Sequence, residues 1–443
     1  MQSILARSGA SVSLLVCLGL AAGPAMGAQM TASRAADQLN GSGRPETIKA
    51  LSGNDRVSSK GGKDTVYAGP DDDWVDGGSG NDKLWGQDDH DTVLGGGGRD
   101  LLMGGTGNDA LDGGDGDDMV VGGPGNDALV GQAGDDKLQG QGGDDSLQGL
   151  SGADWLVGAA GNDSIDGGTE GDRVDGGTGN DTILGGDGND RIDGNGDNDA
   201  IDGGTGDDQL AGASGDDVIS GSDGAENING GPGNDVLDGG LGDDGIAVDR
   251  SKNKSTGGKT PEINGGPGND VIRGGDGRDK LIGGPDNDVV DGGPGDDHSL
   301  TGGPGDDVLI DGDGNDRYIK GDEGNDTIFV GPGQDSVFSE QGSDTIYLYD
   351  DGVWDEFYCD DYDDIGTPRE GKSDRVIYVG RVDPLDKIRA DRETCESITV
   401  INYLPAGWPY GPVAGAGARQ AATTQSADPT RAAYADARLA WLG

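Results

Sequence analysis

The chain is poor in the groups from which ordinary cores and active sites are built. Aromatic residues make up 4% of its 443 residues, and only two histidines and three cysteines are present. So few large apolar groups, with a net charge of −53, describe a chain that cannot collapse unaided. Basic residues are outnumbered 84 to 31. That excludes nucleic acid and anionic membrane as general partners, because both need positive surface. The shortage of His and Cys disfavours zinc and copper. His90 and His298 have no Ser or Cys nucleophile motif beside them and read as exposed turn residues. Beyond the first 28 residues no apolar run could span a bilayer. Where glycine recurs every few residues, no 3.6-residue apolar pattern develops, which excludes helix there.

What is present is a beat of nine. Every ninth residue from Ile48 to Ile246, 23 positions in succession, is Val, Ile or Leu. Two residues before each stands a carboxylate: Asp at every step from Asp55 to Asp217, Glu at Glu46 and Glu226, then Asp235 and Asp244. Ahead of it the chain keeps offering Gly-Gly-x-Gly-x, as in Gly104-Gly105-Thr106-Gly107-Asn108-Asp109. The six-residue Gly/Asn/Asp stretch reads as a turn, since glycine tolerates positive φ and close backbone approach. The three residues around the apolar position read as a short strand with one face buried. Successive turns on opposite sides would close one coil in 18 residues, about 17 coils and about 80 Å for the array at about 4.8 Å per strand. The interior would be a thin double ladder. It looks too small to hold so many ordered glycines, given about 1–2 kcal/mol to fix each residue.

Residues 1–28 read as a secretory signal peptide, with Arg7, an apolar stretch from Ala10 to Ala22, and a small-residue cleavage site after Gly27 or Ala28. Residues 29–45 read as a polar leader and 46–346 as the repeat array. An insertion at about 247–262, rich in Lys and Ser, interrupts the array, and the phase restarts at Ile263, Ile272, Leu281 and Val290. An extra residue near His298 moves it to Leu300, Leu309 and Tyr318, and another slip leads to Ile328, Val337 and Ile346. Three longer strands follow, at Ile346–Tyr349, Arg375–Val379 and Ser397–Ile401. Residues 347–403 are expected to cap the array. Removal of the signal leaves Cys359 and Cys395, which by count imply one disulfide in an exported chain. Residues 404–443 read as a mobile tail, with a short helix at Arg431 to Leu442.

The motif Gly-Gly-x-Gly-x-Asp-x-(apolar)-x resembles the repeats-in-toxin (RTX, hemolysin-type) calcium-binding nonapeptide. That resemblance implies an all-β, calcium-dependent parallel β-roll, with each calcium ion between two loops stacked on the same side. Fourteen loops match the six-residue consensus without deviation, ending at Asp82, Asp100, Asp109, Asp118, Asp127, Asp181, Asp190, Asp208, Asp235, Asp244, Asp270, Asp279, Asp297 and Asp307. Asp136, Asp145, Asp163, Asp217, Asp316 and Asp326 complete the candidate ligand set. The residue chemistry agrees, because calcium is a hard ion that takes six to eight oxygens in flexible geometry, whereas magnesium keeps its waters. Loops ending at Asp73, Asp91 and Asp199 lack the fourth-position glycine, and Glu226 departs further, so these are left out of the candidate ligand set. The phase slips are expected to interrupt the ion columns.

Other motifs carry less. Asp311-Gly312-Asp313-Gly314-Asn315-Asp316 begins like an EF-hand loop, but Asp316 stands where that loop needs glycine, so it is assigned to the roll. No Lys-Ser/Thr pair completes a phosphate loop. Trp74, Trp85 and Trp155 flank strands, and sugar stacking is the minor reading for them. The expected function is a secreted, non-enzymatic structural protein whose folding is coupled to extracellular calcium. A calcium-rigidified adhesin or matrix protein binding a polymer or cell surface is the alternative. A non-catalytic part of a toxin or exported enzyme system is less favoured.

Overall fold

The computed structural model describes residues 14–16, 28–242, 244, 263–349, 355–359, 374–379, 387–388 and 395–401. The chain divides into two units, Met1–Gly204 and Thr205–Gly443. Each is a parallel β-solenoid, and the described residues contain no helix.

In the first unit, successive strands alternate between two sheets. Lys83–Asp88 pairs in parallel with Thr65–Pro70 and Leu101–Thr106, so that Val66, Leu84 and Leu102 stand side by side at 18-residue spacing. The intervening strands do the same across the core, aligning Val75, Val93 and Leu111. The coil is thus the 18 residues the spacing predicts. Within a strand, alternate residues face inward. In Asp-x-Leu-x-Gly the carboxylate, the apolar residue and the first loop glycine therefore share the buried side. Leu84, Val93 and Leu102 are fully buried, and Asp82, Asp91 and Asp100 nearly so.

The turns need glycine for a steric reason. Gly80 adopts φ of +130°, and a Cβ there would collide with the carbonyl oxygen of Gly62, one coil earlier. Stacking loops this closely leaves no room for a side chain at that position.

Residues 29–45, expected as a polar leader, are part of the stack. Ala28–Thr31 pairs with Glu46–Lys49 and Gln38–Asn40 with Arg56–Ser58, burying Met30 and Leu39. The nine-residue phase reaches back to these two residues, but their loops lack the glycine signature. Leu14–Val16 also pairs in parallel with Gln38–Asn40. The rest of the expected signal peptide lies outside the described residues.

The second unit keeps the pairing but varies the spacing. Val236–Asp238 pairs with Val271–Arg273, aligning Leu237 with Ile272 across 35 residues. Asn227–Asn229 pairs with Ile263–Asn264. Ile263 therefore stands where the nine-residue phase places Ile246, which lies outside the described residues along with the insertion. Further on, Leu281 aligns with Leu300, and Leu300 with Ile319. The phase had assigned Tyr318 to the ladder, but it is 48% exposed with φ of +57°, and Ile319 is buried instead. A left-handed residue takes up the extra length, and the phenol is kept from a dry ladder that offers its hydroxyl no partner.

The segment expected as a cap continues the same alternation. Thr345–Tyr349 pairs with Asp374–Val379, which pairs with Cys395–Ile401, all in parallel. On the opposite side Ser336–Gly342 pairs with Glu356–Cys359, and Phe357 is fully buried. These strands stack as further rungs. The side chains of Cys359 and Cys395, and the expected tail, lie outside the described residues.

Candidate metal centre

Each repeat carboxylate is anchored by the one before it in the same column. Asp82 N–H donates to Asp100 Oδ1 at 2.7 Å, Asp100 N–H to Asp118 Oδ1 and Asp118 N–H to Asp136 Oδ1 at the same distance. On the opposite side Asp91, Asp109, Asp127 and Asp145 are linked likewise at 2.8 Å. The second carboxylate oxygen has a different fate. In Asp82, Asp100, Asp118 and Asp136, Oδ2 is buried and accepts no hydrogen bond. A buried, unpartnered carboxylate oxygen is costly, and four in one column demand a counter-charge.

The space beside that oxygen is shaped by the missing side chain of the first loop glycine. A Cβ built on Gly113 would lie 2.7 Å from Asp118 Oδ2 and 3.0 Å from the carbonyl oxygen of Gly131. One built on Gly77 would lie 2.8 Å from Asp82 Oδ2 and 2.6 Å from the carbonyl oxygen of Gly95. A carboxylate of one loop and a carbonyl of the next loop on the same side thus converge on one gap. All-oxygen donors of this kind, from two flexible turns, suit calcium. These residues fit the ion, and they are the ones that would hold it.

Burial pushes the Asp91 carboxyl up to about 8 and those of Asp100 and Asp136 up to about 7. Removal from water is the main cause. The N–H of the preceding Asp opposes it, and carboxylates of neighbouring coils add to it. A bound divalent cation would reverse this balance and hold every carboxylate ionised.

All twenty Asp residues chosen from sequence, from Asp82 to Asp326, are buried in this row. So are residues the consensus passed over, including Asp55, Asp64, Asp154, Asp172, Asp288, Asp335 and Asp344. The signal that finds them is the phase itself, a carboxylate two residues before the apolar position, rather than the glycines. The loops lacking the fourth-position glycine keep the same turn, because Asp71, Asp89 and Asp197 take φ of 85°, 75° and 73° there. Asp91 retains its bond to Asp109 and accepts one from Asp73 at 2.8 Å. Glu226 is buried too, and burial beside Asp244 drives its pKa upward.

The expected interruption of the columns does not occur. Across the insertion, Asp235 N–H reaches Asp270 Oδ1 at 2.7 Å and Asp244 N–H reaches Asp279 Oδ1 at 2.8 Å. Past the slips, Asp288 donates to Asp307 and Asp297 to Asp316 at 2.8 and 2.7 Å. The carboxylates hold register across the insertion and the slips alike.

A second row went unread in the sequence. At the residue before each Asp, the N–H of Asn126 donates back to Asn108 Oδ1, that of Asp144 to Asn126 Oδ1 and that of Asn162 to Asp144 Oδ1, at 2.9–3.1 Å. It runs opposite in sense to the buried row and lies in solvent. The histidines behave as turn residues: His90 Nδ1 accepts from Asn108 N–H at 2.7 Å, and the His298 ring packs edge-on against Tyr318. The tryptophan faces are occupied, Trp85 by Tyr67, Trp74 by Arg56, and Trp155 by Lys137 and Arg173.

The sequence profile of the RTX calcium-binding nonapeptide repeat matches residues 33–210, 220–249 and 264–346 in overlapping segments. The chain belongs to that family. Family membership and the oxygen donor set together mark this RTX chain as a calcium binder. A solved structure similar to it is that of a hyperactive, Ca2+-dependent, β-helical antifreeze protein from an Antarctic bacterium, at 19% identity and a TM-score of 0.35. The similarity covers 74% of this chain and 86% of that one. No curated protein shows significant similarity to the chain.

Proposed function

We propose that this RTX chain is an exported, non-catalytic structural solenoid that calcium locks into its folded form. The observation that carries the reading is the buried row of carboxylates, each with one oxygen tied to the backbone and, in Asp82, Asp100, Asp118 and Asp136, the other left without a donor. Without cations, repulsion and desolvation work against stacking; with calcium, each ion joins two loops and the apolar ladder closes behind them. Export follows from the signal-like composition of residues 1–28, and a calcium-poor interior would keep the chain unfolded until it left. Circular dichroism with chelator and with millimolar calcium tests the coupling. A β-rich spectrum appearing only with calcium is the expected result; identical spectra would sink it.

An adhesive rod is the second reading, favoured by one face. Seven successive strands of one sheet, from Glu46–Lys49 to Trp155–Ala160, have no carboxylate at either outward position around the apolar residue. They carry Tyr67, Lys83, Trp85, Met103, Met119, Lys137 and Trp155 instead, with Met119 and Trp155 46% and 44% exposed. In so acidic a chain, an apolar and basic strip is where a polymer could approach. Pull-down of the calcium-loaded protein with insoluble polysaccharides or whole cells would support it; no retention on any of them would count against it.

A further inference from the structure

At the first position of every described loop but one, the residue is Gly, Ala, Ser or Val. The exception is Asp311. Elsewhere a side chain at this position would point at the repeat carboxylate, as the built Cβ of Gly113 shows against Asp118 Oδ2. Here the chain puts a third acid on that line. One carboxylate oxygen each of Asp311, Asp316 and Asp335 lies within 4.8 Å of the others, and all three residues are at most 1% exposed. Asp316 N–H donates to Asp335 Oδ1 at 2.9 Å, so these two are an ordinary pair of the column. Gly331 N–H fixes Asp311 Oδ1 at 2.6 Å. Asp316 Oδ2 and Asp335 Oδ2 are buried without a hydrogen-bond partner, which points to a ligand.

We propose that Asp311, Asp316 and Asp335 form a reinforced calcium site, the first in the chain to fill and the one from which ion-coupled folding of the second unit spreads. The proposal rests on the calcium-binding reading and deepens it. Affinity of oxygen-donor calcium sites rises with the number of charged ligands. This site offers three carboxylates where an ordinary loop pair offers two, and no peptide has to be rearranged to bring in the third. Its ion should bind at least about tenfold more tightly than those that follow.

Calcium titration calorimetry of the full chain, beside Asp311→Gly and Asp311→Asn, tests it. Asp311→Gly restores the consensus glycine and should fold in saturating calcium, which circular dichroism checks. Asp311→Asn keeps the shape and the acceptor for Gly331 while removing the charge. The expected result is one early, tight binding event per chain in the parent, absent from both variants, in which that ion joins the later events. Hydrogen exchange at one equivalent of calcium should then show protection arising first around residues 299–349. No early event in the parent, or an early event surviving both substitutions, overturns the proposal while leaving general calcium binding intact. Absence of calcium binding in all three proteins overturns the underlying reading as well.

Discussion

From Ala28 onward the first unit repeats a strict 18-residue coil, whereas the second aligns its ladder residues at 18, 19, 20, 22, 30, 31 and 35 residues. Many of the second unit's strands shorten to three residues, as in Val271–Arg273 and Lys280–Ile282. Yet Asp235 to Asp270, Asp288 to Asp307 and Asp344 to Asp374 keep the same N–H to carboxylate bond found in Asp82 to Asp100. The contrast separates what this architecture must hold constant from what it can vary. Loop length is free, because a longer loop costs little chain entropy and can leave the stack. The inward triplet of acid, apolar residue and small residue is not free, because those side chains meet the next coil.

The largest expected effect is on the whole fold of ion-free protein. Burial raises the carboxyl pKa values above those of the unfolded chain, so folded protein binds more protons. The stability they contribute is full below the unfolded value near 4 and is lost as pH rises through about 6 to 9. Acid should therefore substitute for calcium in chelated protein. In the first unit burial raises these carboxyls to about 6 at Asp127 and Asp154 and up to about 8 at Asp91, whereas in the second Asp288 and Asp344 reach about 8 and burial beside neighbouring acids takes Asp316 to about 9. Hydrogen exchange during acidification should show the second unit ordering at the higher pH. Simultaneous ordering of both would erase this difference between the units.

Gly80→Ala should come next. It puts a Cβ against the Gly62 carbonyl at a left-handed φ, and about 1–3 kcal/mol of strain should appear as a lower Tm with calcium present. An unchanged Tm would mean that the loops stack less tightly than described. Asp118→Ala removes the acceptor for Asp100 N–H and one carboxylate of the column. About 1–3 kcal/mol of calcium-loaded stability should be lost, together with ion stoichiometry measured by calorimetry. Full stoichiometry in this variant would remove Asp118 from the ligand set.

The smallest effect is expected from deleting residues 246–262. The deletion sets Ile263 two residues after Asp244 and returns the coil to 18 residues, so stability in calcium should change by less than about 1 kcal/mol. A large loss would show that the insertion supports the roll.

Much of this was legible beforehand. The 18-residue coil, the alternation of sides and the buried ladder follow from the period, and twenty candidate ligands from the glycine motif. Asp55 and Asp154 were left out of the candidate set because glycine was weighted above phase, although they are buried in the same row and Leu51 and Leu150 adopt positive φ where their loops lack the second glycine. Met30 and Leu39 were missed because their loops lack the motif. Tyr318 was misassigned because a count of nine cannot see a one-residue bulge.

The sequence by itself determined the repeat, its chemistry and its ion, because each is a property of nine residues taken in order. Only the tertiary structure decided which carboxylate oxygen is tied and which is left for a cation, that the columns survive every slip, and that Asp311 joins Asp316 and Asp335. Those are relations between coils 18 to 35 residues apart, set by how closely one loop can stack on another.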